Sequence, residues 1–199
     1  MVLSVYCSGS IMKGASDEKK LCWSDLERAE VSKGAAPYEI VFLNPDDPIT
    51  DPSNTVGQFG RDMYQVMMST AVIVDARERR GLGIGVEMAA AAAFGTPVIV
   101  VAPRNSKYRS DVVEYRGATV VDYIHPHVHS LAAAVVEDFI DAGEALKKQK
   151  RRDGHHRHSV PPGWLDRAIT EYTTNVLPDD APMLNALRRM GSDPRVGRR

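Results

Sequence analysis

Cysteine is scarce in this chain. Cys7 and Cys22 are the only two in 199 residues, and their spacing is that of neither a disulfide framework nor a metal site. A small secreted scaffold held by disulfides is thereby excluded, and a reducing compartment with buried or inert thiols is expected. Long apolar runs are missing as well: no stretch reaches the roughly 20 residues that a membrane-crossing helix needs. Neither sign of charge is in excess, with a formal net charge of -1, so nothing draws the chain in bulk to nucleic acid or to a membrane. The first apolar run starts at Val2 without a basic region or cleavage site before it, and no secretory signal is expected. No internal repeat is visible. These absences describe a soluble, cytoplasmic protein of one ordinary domain, with length to spare for an appendage.

What is present alternates between strand and helix. Residues 2–6 read as a buried strand that stops at the turn Cys7-Ser8-Gly9-Ser10. Ser16-Asp17-Glu18 starts a helix running to about Ser32, with Leu21, Cys22, Leu26 and Ala29 on one face and Lys33-Gly34 as its end. Residues 38–43 form a second strand. Residues 44–55 are a loop crowded with Pro, Asp and Asn, long enough for a lid or substrate loop. Residues 58–69 are a helix in which Met63, Val66 and Met67 serve core packing. Residues 71–76 and 97–102 are the third and fourth strands, nearly continuous in Val, Ile and Ala. A short helix over 109–115, a fifth strand over 118–123 and an amphipathic helix over 130–146 complete the pattern. It predicts an α/β fold, a doubly wound, mainly parallel five-stranded sheet of Rossmann-like kind. Domain boundaries follow at 1–146 for the compact domain, 147–162 for a basic, His-rich linker, and 163–199 for a partly helical or disordered tail. Trp164, Leu165 and Ile169 give that tail an apolar face for another subunit.

The chain is organised around Arg79-Arg80-Gly81-Leu82-Gly83-Ile84-Gly85-Val86-Glu87-Met88 and the alanine run after it. A glycine-rich turn links the third strand, which ends in Asp75, to a helix, and places Glu87 in the first turn of that helix. A helix N-terminus favours an ionised carboxylate, and glycine lets a ligand approach the backbone closely. A carboxylate at the mouth of such a pocket is a nucleophile by type. The same residue also serves helix stability alone, and a dinucleotide fingerprint is disfavoured because the spacing is G-x-G-x-G after the third strand rather than G-x-G-x-x-G after the first. Ligands of doubly wound sheets bind past the carboxyl ends of the strands. Residues 6–14, the 44–55 loop, the 75–87 segment and the loop after Pro103 fall there. His125, His127 and His129 alternate as metal ligands can, but with Asp122 as the one acid nearby they read as a loop.

Three stretches then resemble, in order, the nucleoside 2-deoxyribosyltransferase superfamily, closest to its nucleoside 5′-monophosphate N-glycosidase (N-hydrolase) branch. They are Val5-Tyr6-Cys7-Ser8-Gly9-Ser10-Ile11, Arg61-Asp62-Met63, and Leu82-Gly83-Ile84-Gly85-Val86-Glu87-Met88, within a similarity that covers about residues 2 to 125. The resemblance implies that Glu87 attacks the anomeric carbon of a nucleotide's sugar, that Asp62 bonds the sugar or assists proton transfer, and that Tyr6 holds the Glu87 carboxylate. It also implies that water then gives hydrolysis to free base and (deoxy)ribose 5-phosphate, without metal or cofactor. Ser8, Gly9, Ser10, Ile11, Met12, Lys13, Arg79, Arg80, Gly81, Gly83, Gly85 and Ser106 would bind substrate, Lys13, Arg79 and Arg80 supplying charge for a phosphate. In that branch, residues after the fourth strand of one subunit complete the neighbour's pocket, so Ser106, Lys107 and Tyr108 imply a homodimer.

The chain departs from the family pattern at two places. Six residues before Glu87, transferases carry an acid aimed at the base and hydrolases often a serine; here stands Gly81. After Gly-Ser-Ile, hydrolases carry an arginine; here stand Met12 and Lys13. The first departure disfavours a base-exchanging 2-deoxyribosyltransferase. A nucleotide-binding sensor without catalysis is the rival of another class, because a fold alone does not imply chemistry.

Overall fold

The structure is a computed structural model that describes residues 1–9, 23–46, 49–78, 81–149 and 163–192. Along the chain run β1 (Val2–Ser8), α1 (Asp25–Ala35), β2 (Glu39–Leu43), α2 (Thr55–Met68), β3 (Ala71–Asp75), α3 (Leu82–Phe94), β4 (Val98–Val101), β5 (Arg109–Tyr115) and β6 (Ala118–Ile124). Then follow α4 (Pro126–Leu131), β7 (Ala134–Val136), α5 (Phe139–Lys148), α6 (Gly163–Asn175), a 3-10 turn (Leu177–Asp179) and α7 (Ala181–Arg189).

Five strands lie side by side in the order β2-β1-β3-β4-β7, each parallel to its neighbour. The order reverses between β1 and β3, which opens a crevice beyond their carboxyl ends. Strand alternation divides the core in two. Leu3, Val5, Cys7, Ile40, Ile73, Ile99 and Val101 face α1 and α5, while Tyr6, Val41, Leu43, Val72, Val74, Val98 and Val100 share a core with α2, α3, α6 and α7. The fold is therefore a doubly wound, Rossmann-like α/β sheet with helices on both faces.

Glycine sets how closely two helix pairs approach. A Cβ on Gly34 would lie 2.0 Å from the Ile140 carbonyl oxygen, and one on Gly143 would lie 2.2 Å from that of Val31, so α1 and α5 cross backbone to backbone. A Cβ on Gly60 would lie 1.9 Å from the Ala168 carbonyl oxygen, which seats α6 directly on α2. Gly34 is thus a crossing point inside α1 rather than its stop. That helix starts at Ser24, whose hydroxyl and Glu27 form a reciprocal capping box. It buries Val31, Gly34 and Ala35 and leaves Leu26 and Ala29 of the face read from sequence exposed; Leu21 and Cys22 of that face, and the start expected at residues 16–18, lie outside the described residues.

Three further elements differ from the sequence reading. Residues 109–115 are a strand and not a helix, paired antiparallel with residues 118–124 across the two-residue turn Arg116-Gly117. Both turn residues have positive φ, 51° and 80°, which suits a tight hairpin. The fifth strand of the main sheet is instead Ala134–Val136, hidden within an apparently helical stretch because Asp138 cuts in as the N-cap of α5. The hairpin stands on its own two strands, tied at its base by Arg109 Nη1 to Glu137 (2.8 Å) and by Arg104 to Asp111 and Glu137.

Residues 163–192, read as a tail, pack onto the domain. Tyr172, Leu177, Met183 and Leu187 share the core of Met63, Tyr64 and Val66. Asp180, with no exposed surface, accepts from Arg61 Nε at 2.6 Å and Tyr172 Oη at 2.8 Å, and caps α7 through the Met183 amide at 2.9 Å. Arg61 also donates to the carbonyls of Asn44 and Asp46, fastening the start of the β2–α2 loop. Ile169, partly buried, packs against this same core, and the side chains of Trp164 and Leu165 lie outside the described residues. The stretch 150–162 and residues 193–199 lie outside the described residues.

Candidate functional site

At the crevice, β1 presents Ser4, Tyr6 and Ser8 to one face of the sheet, since alternate strand residues point the same way. Ser4 is spent on structure, its backbone amide and hydroxyl lying within bonding distance of Thr70 Oγ1. Tyr6 and Ser8 turn instead to α3. Tyr6 Oη donates to Glu87 Oε1 at 3.0 Å, and Ser8 Oγ donates to Glu87 Oε2 at 2.5 Å. Both donors have no exposed surface, whereas Glu87 keeps some. Ser8 pairs with Val74 in the register, one residue before Asp75 ends β3, so the triad sits at the switch point of the sheet.

Burial raises the pKa of the Glu87 carboxyl, and the hydrogen bonds from Ser8 and then Tyr6 pull it part of the way back. Glu87 is not in the first turn of its helix: the N-cap is Gly81, the helix starts at Leu82, and Glu87 falls in the second turn. The helix N-terminus therefore acts on it less than the sequence suggested, and the two hydroxyls take over the task of holding the anion.

Gly83 and Gly85 lie within the helix, not in a turn ahead of it, and Gly81 is its N-cap. None of Gly81, Gly83 and Gly85 has positive φ, and a Cβ on any of them would meet nothing within 4 Å among the described residues. Backbone strain thus gives no reason for glycine here. At about 100° per residue, Gly83 lies about 40° around the helix from Glu87, one turn earlier, while Gly85 lies about 160° away. Gly83 is exposed although Glu87, Met88, Ala91 and Phe94 on that side face the core. Gly83 thus lies on the Glu87 side of the first turn of α3, and Gly85 belongs to the outward stripe with Leu82 and Ala89. No side chain caps this helix, whereas Ser24, Asn54, Asp138 and Asp180 cap α1, α2, α5 and α7.

Asp62 is half-buried on α2 beside the buried Arg61 and Met63, and is not among the hydrogen-bond donors or acceptors of Glu87. Gly9 follows Ser8 at the end of β1 and is partly exposed. Ser106 lies in the loop after β4, its hydroxyl buried and without a hydrogen-bond partner among the described residues. Ser10, Ile11, Met12, Lys13, Arg79 and Arg80 lie outside the described residues. His125 is the N-cap of α4 and His127 and His129 lie on it, rather than in a loop; no group of three metal-binding side chains is found among the described residues.

One participant was missed in the sequence. The Ser8 side chain, read for its backbone amide, is a direct partner of Glu87; the alternation Tyr6-x-Ser8 at the end of a strand was the available signal. Arg77, just past β3, is structural: it donates through Nε to Asp75 at 2.9 Å, also bonds Glu27, and lies 4.9 Å over the Phe139 ring on the α1/α5 side of the sheet. No protein-family model matches the chain, and comparison with curated proteins returns no match.

Proposed function

We propose that this protein is an N-glycosidase that hydrolyses the base–sugar bond of a nucleoside 5′-monophosphate, with Glu87 as nucleophile. The single observation that carries the reading is a largely buried carboxylate gripped at both oxygens by Tyr6 and Ser8, at the switch point of a doubly wound sheet and on the same side of α3 as the exposed Gly83. A Glu87 oxygen bonds to the anomeric carbon as the C–N bond breaks, its electron pair leaving with the base, which takes a proton from water. A second water then attacks the same carbon and gives its proton to the hydroxide left by the first, the glycosyl–ester bond breaks back to the Glu87 carboxylate, and sugar 5-phosphate departs. This is the retaining logic of carboxylate glycosidases. Asp62 is proposed to bond the sugar or assist the proton transfers.

The 5′-phosphate is assigned to the first turn of α3, whose amides no side chain caps, with Arg79 and Arg80 preceding it in sequence. Hydrolysis is preferred over base exchange because Gly81 offers no acid to a departing or incoming base. A homodimer belongs to the same proposal, supported by the exposed hairpin residues Val112, Tyr115 and Val121. No helix among the described residues is long and apolar enough to cross a membrane.

The test is base release from a panel of ribo- and deoxyribonucleoside monophosphates, each beside its unphosphorylated nucleoside, with Glu87→Gln as control. Release from one monophosphate but not its nucleoside, lost in the variant, supports the proposal. Release from nucleosides alone removes the phosphate assignment, and turnover retained by Glu87→Gln removes the nucleophile.

A further inference from the structure

A hydroxyl buried without a partner costs free energy, so a serine with no exposed surface at the end of an apolar strand requires an explanation. Ser4 on the same face of β1 is explained by Thr70 and Met68, which it ties to the strand. Ser8 has no such structural bond through its side chain; its hydroxyl goes to Glu87 Oε2 at 2.5 Å. The proton of that hydroxyl is committed to the carboxylate, so Ser8 is not itself poised as a nucleophile or as a donor to substrate.

Resting on the reading of Glu87 as nucleophile, we infer that Ser8 is a positioning residue that fixes the plane of the attacking carboxylate. The terminal torsion of a glutamate is broad, and one hydrogen bond leaves the carboxylate free to turn about it. Tyr6 holds Oε1 and Ser8 holds Oε2, so together they fix the torsion and aim the lone pairs of the carboxylate. The two donors stand two residues apart on one strand, Tyr6 paired with both β2 and β3 and Ser8 with β3. Their mutual geometry is therefore set by the sheet and not by a loop. The same bond favours the ionised form against the burial that opposes it.

Two consequences separate this role from packing. Ser8→Ala keeps the strand and removes only the hydroxyl, while Ser8→Cys keeps the shape with a weaker donor. In base-release assays, kcat of Ser8→Ala is expected to fall about tenfold to a hundredfold, with KM changed by less than about threefold. The acid limb of its kcat profile moves to higher pH, and the Glu87 side-chain carbon, followed by NMR in glutamate-labelled protein, titrates higher in step. Ser8→Cys lies between Ala and wild type in both. An NMR midpoint or acid limb that superimposes on wild type in Ser8→Ala, or an unchanged kcat, overturns the inference. The two readings fail separately: turnover retained by Glu87→Gln removes the nucleophile, whereas a dead Glu87→Gln with an unaltered Ser8→Ala removes only the role of Ser8. The NMR midpoint needs no turnover and reports the Ser8–Glu87 bond in either case.

Discussion

An ionised Glu87 is costly to the folded chain, because burial raises its pKa beyond what Ser8 and Tyr6 recover. In the unfolded chain the same carboxyl titrates in the ordinary glutamate range, about pH 4.3. With the folded pKa above the unfolded one, the folded state binds the proton more tightly, and stability is lost as pH rises from the ordinary value through the folded one. Glu87→Gln is therefore expected to melt at a higher temperature than wild type at pH 8, the difference closing toward pH 4, in thermal scans across that range. Turnover should fall by on the order of a thousandfold or more. The acid limb of wild-type activity is expected above the ordinary carboxylate range. A variant less stable than wild type at pH 8 would mean that Glu87 is held for structure.

At the scale of the element, α3 carries glycine where its own geometry does not require it. Glycine in an exposed helix costs roughly 0.5–1 kcal/mol relative to alanine. Gly83→Ala and Gly85→Ala should each raise stability by about that amount in denaturant titrations. Their kinetics should part: Gly83→Ala, on the Glu87 side of the helix, should lower kcat/KM about tenfold, and Gly85→Ala on the outward side distinctly less. Equal kinetic effects would remove Gly83 from the pocket. Gly60 is the reverse case, because its missing Cβ is filled by the backbone of α6. Gly60→Ala should cost about 1–3 kcal/mol by overpacking and weaken the seat of α6, read as earlier hydrogen exchange of residues 163–175.

Across the whole molecule, the C-terminal helices are joined to the β2–α2 loop by the pair Arg61–Asp180, with Tyr172 and the α7 amide completing the carboxylate's bonds. Removing one member leaves the other charged and buried. Asp180→Ala is expected to cost about 3–5 kcal/mol in equilibrium unfolding, far more than loss of the surface pair Arg189–Glu39. A cost below about 1 kcal/mol would show that α7 is not integrated into the fold.

Composition and periodicity carried the class of fold, because parallel strands covered on both faces leave near-continuous apolar runs: 71–76 and 97–102 read directly as β3 and β4. The motif around Glu87 and the strand ending in Tyr6 and Ser8 were legible as runs of sequence, though not the bond that the Ser8 hydroxyl makes. What misled was local likeness without its partners. Residues 109–115 look amphipathic until paired with 118–124; Ala134–Val136 is three residues long and is a strand only because β4 lies beside it. Likewise Gly34 punctuates a helix in one dimension and serves a crossing in three. The sequence alone determined the alternating α/β layout and the carboxylate with its glycines, through short-range patterning. Only the tertiary structure decided that two hydroxyls of one strand share that carboxylate and that residues 163–192 belong to the core, because both depend on contacts between residues 79 to 119 positions apart in the chain.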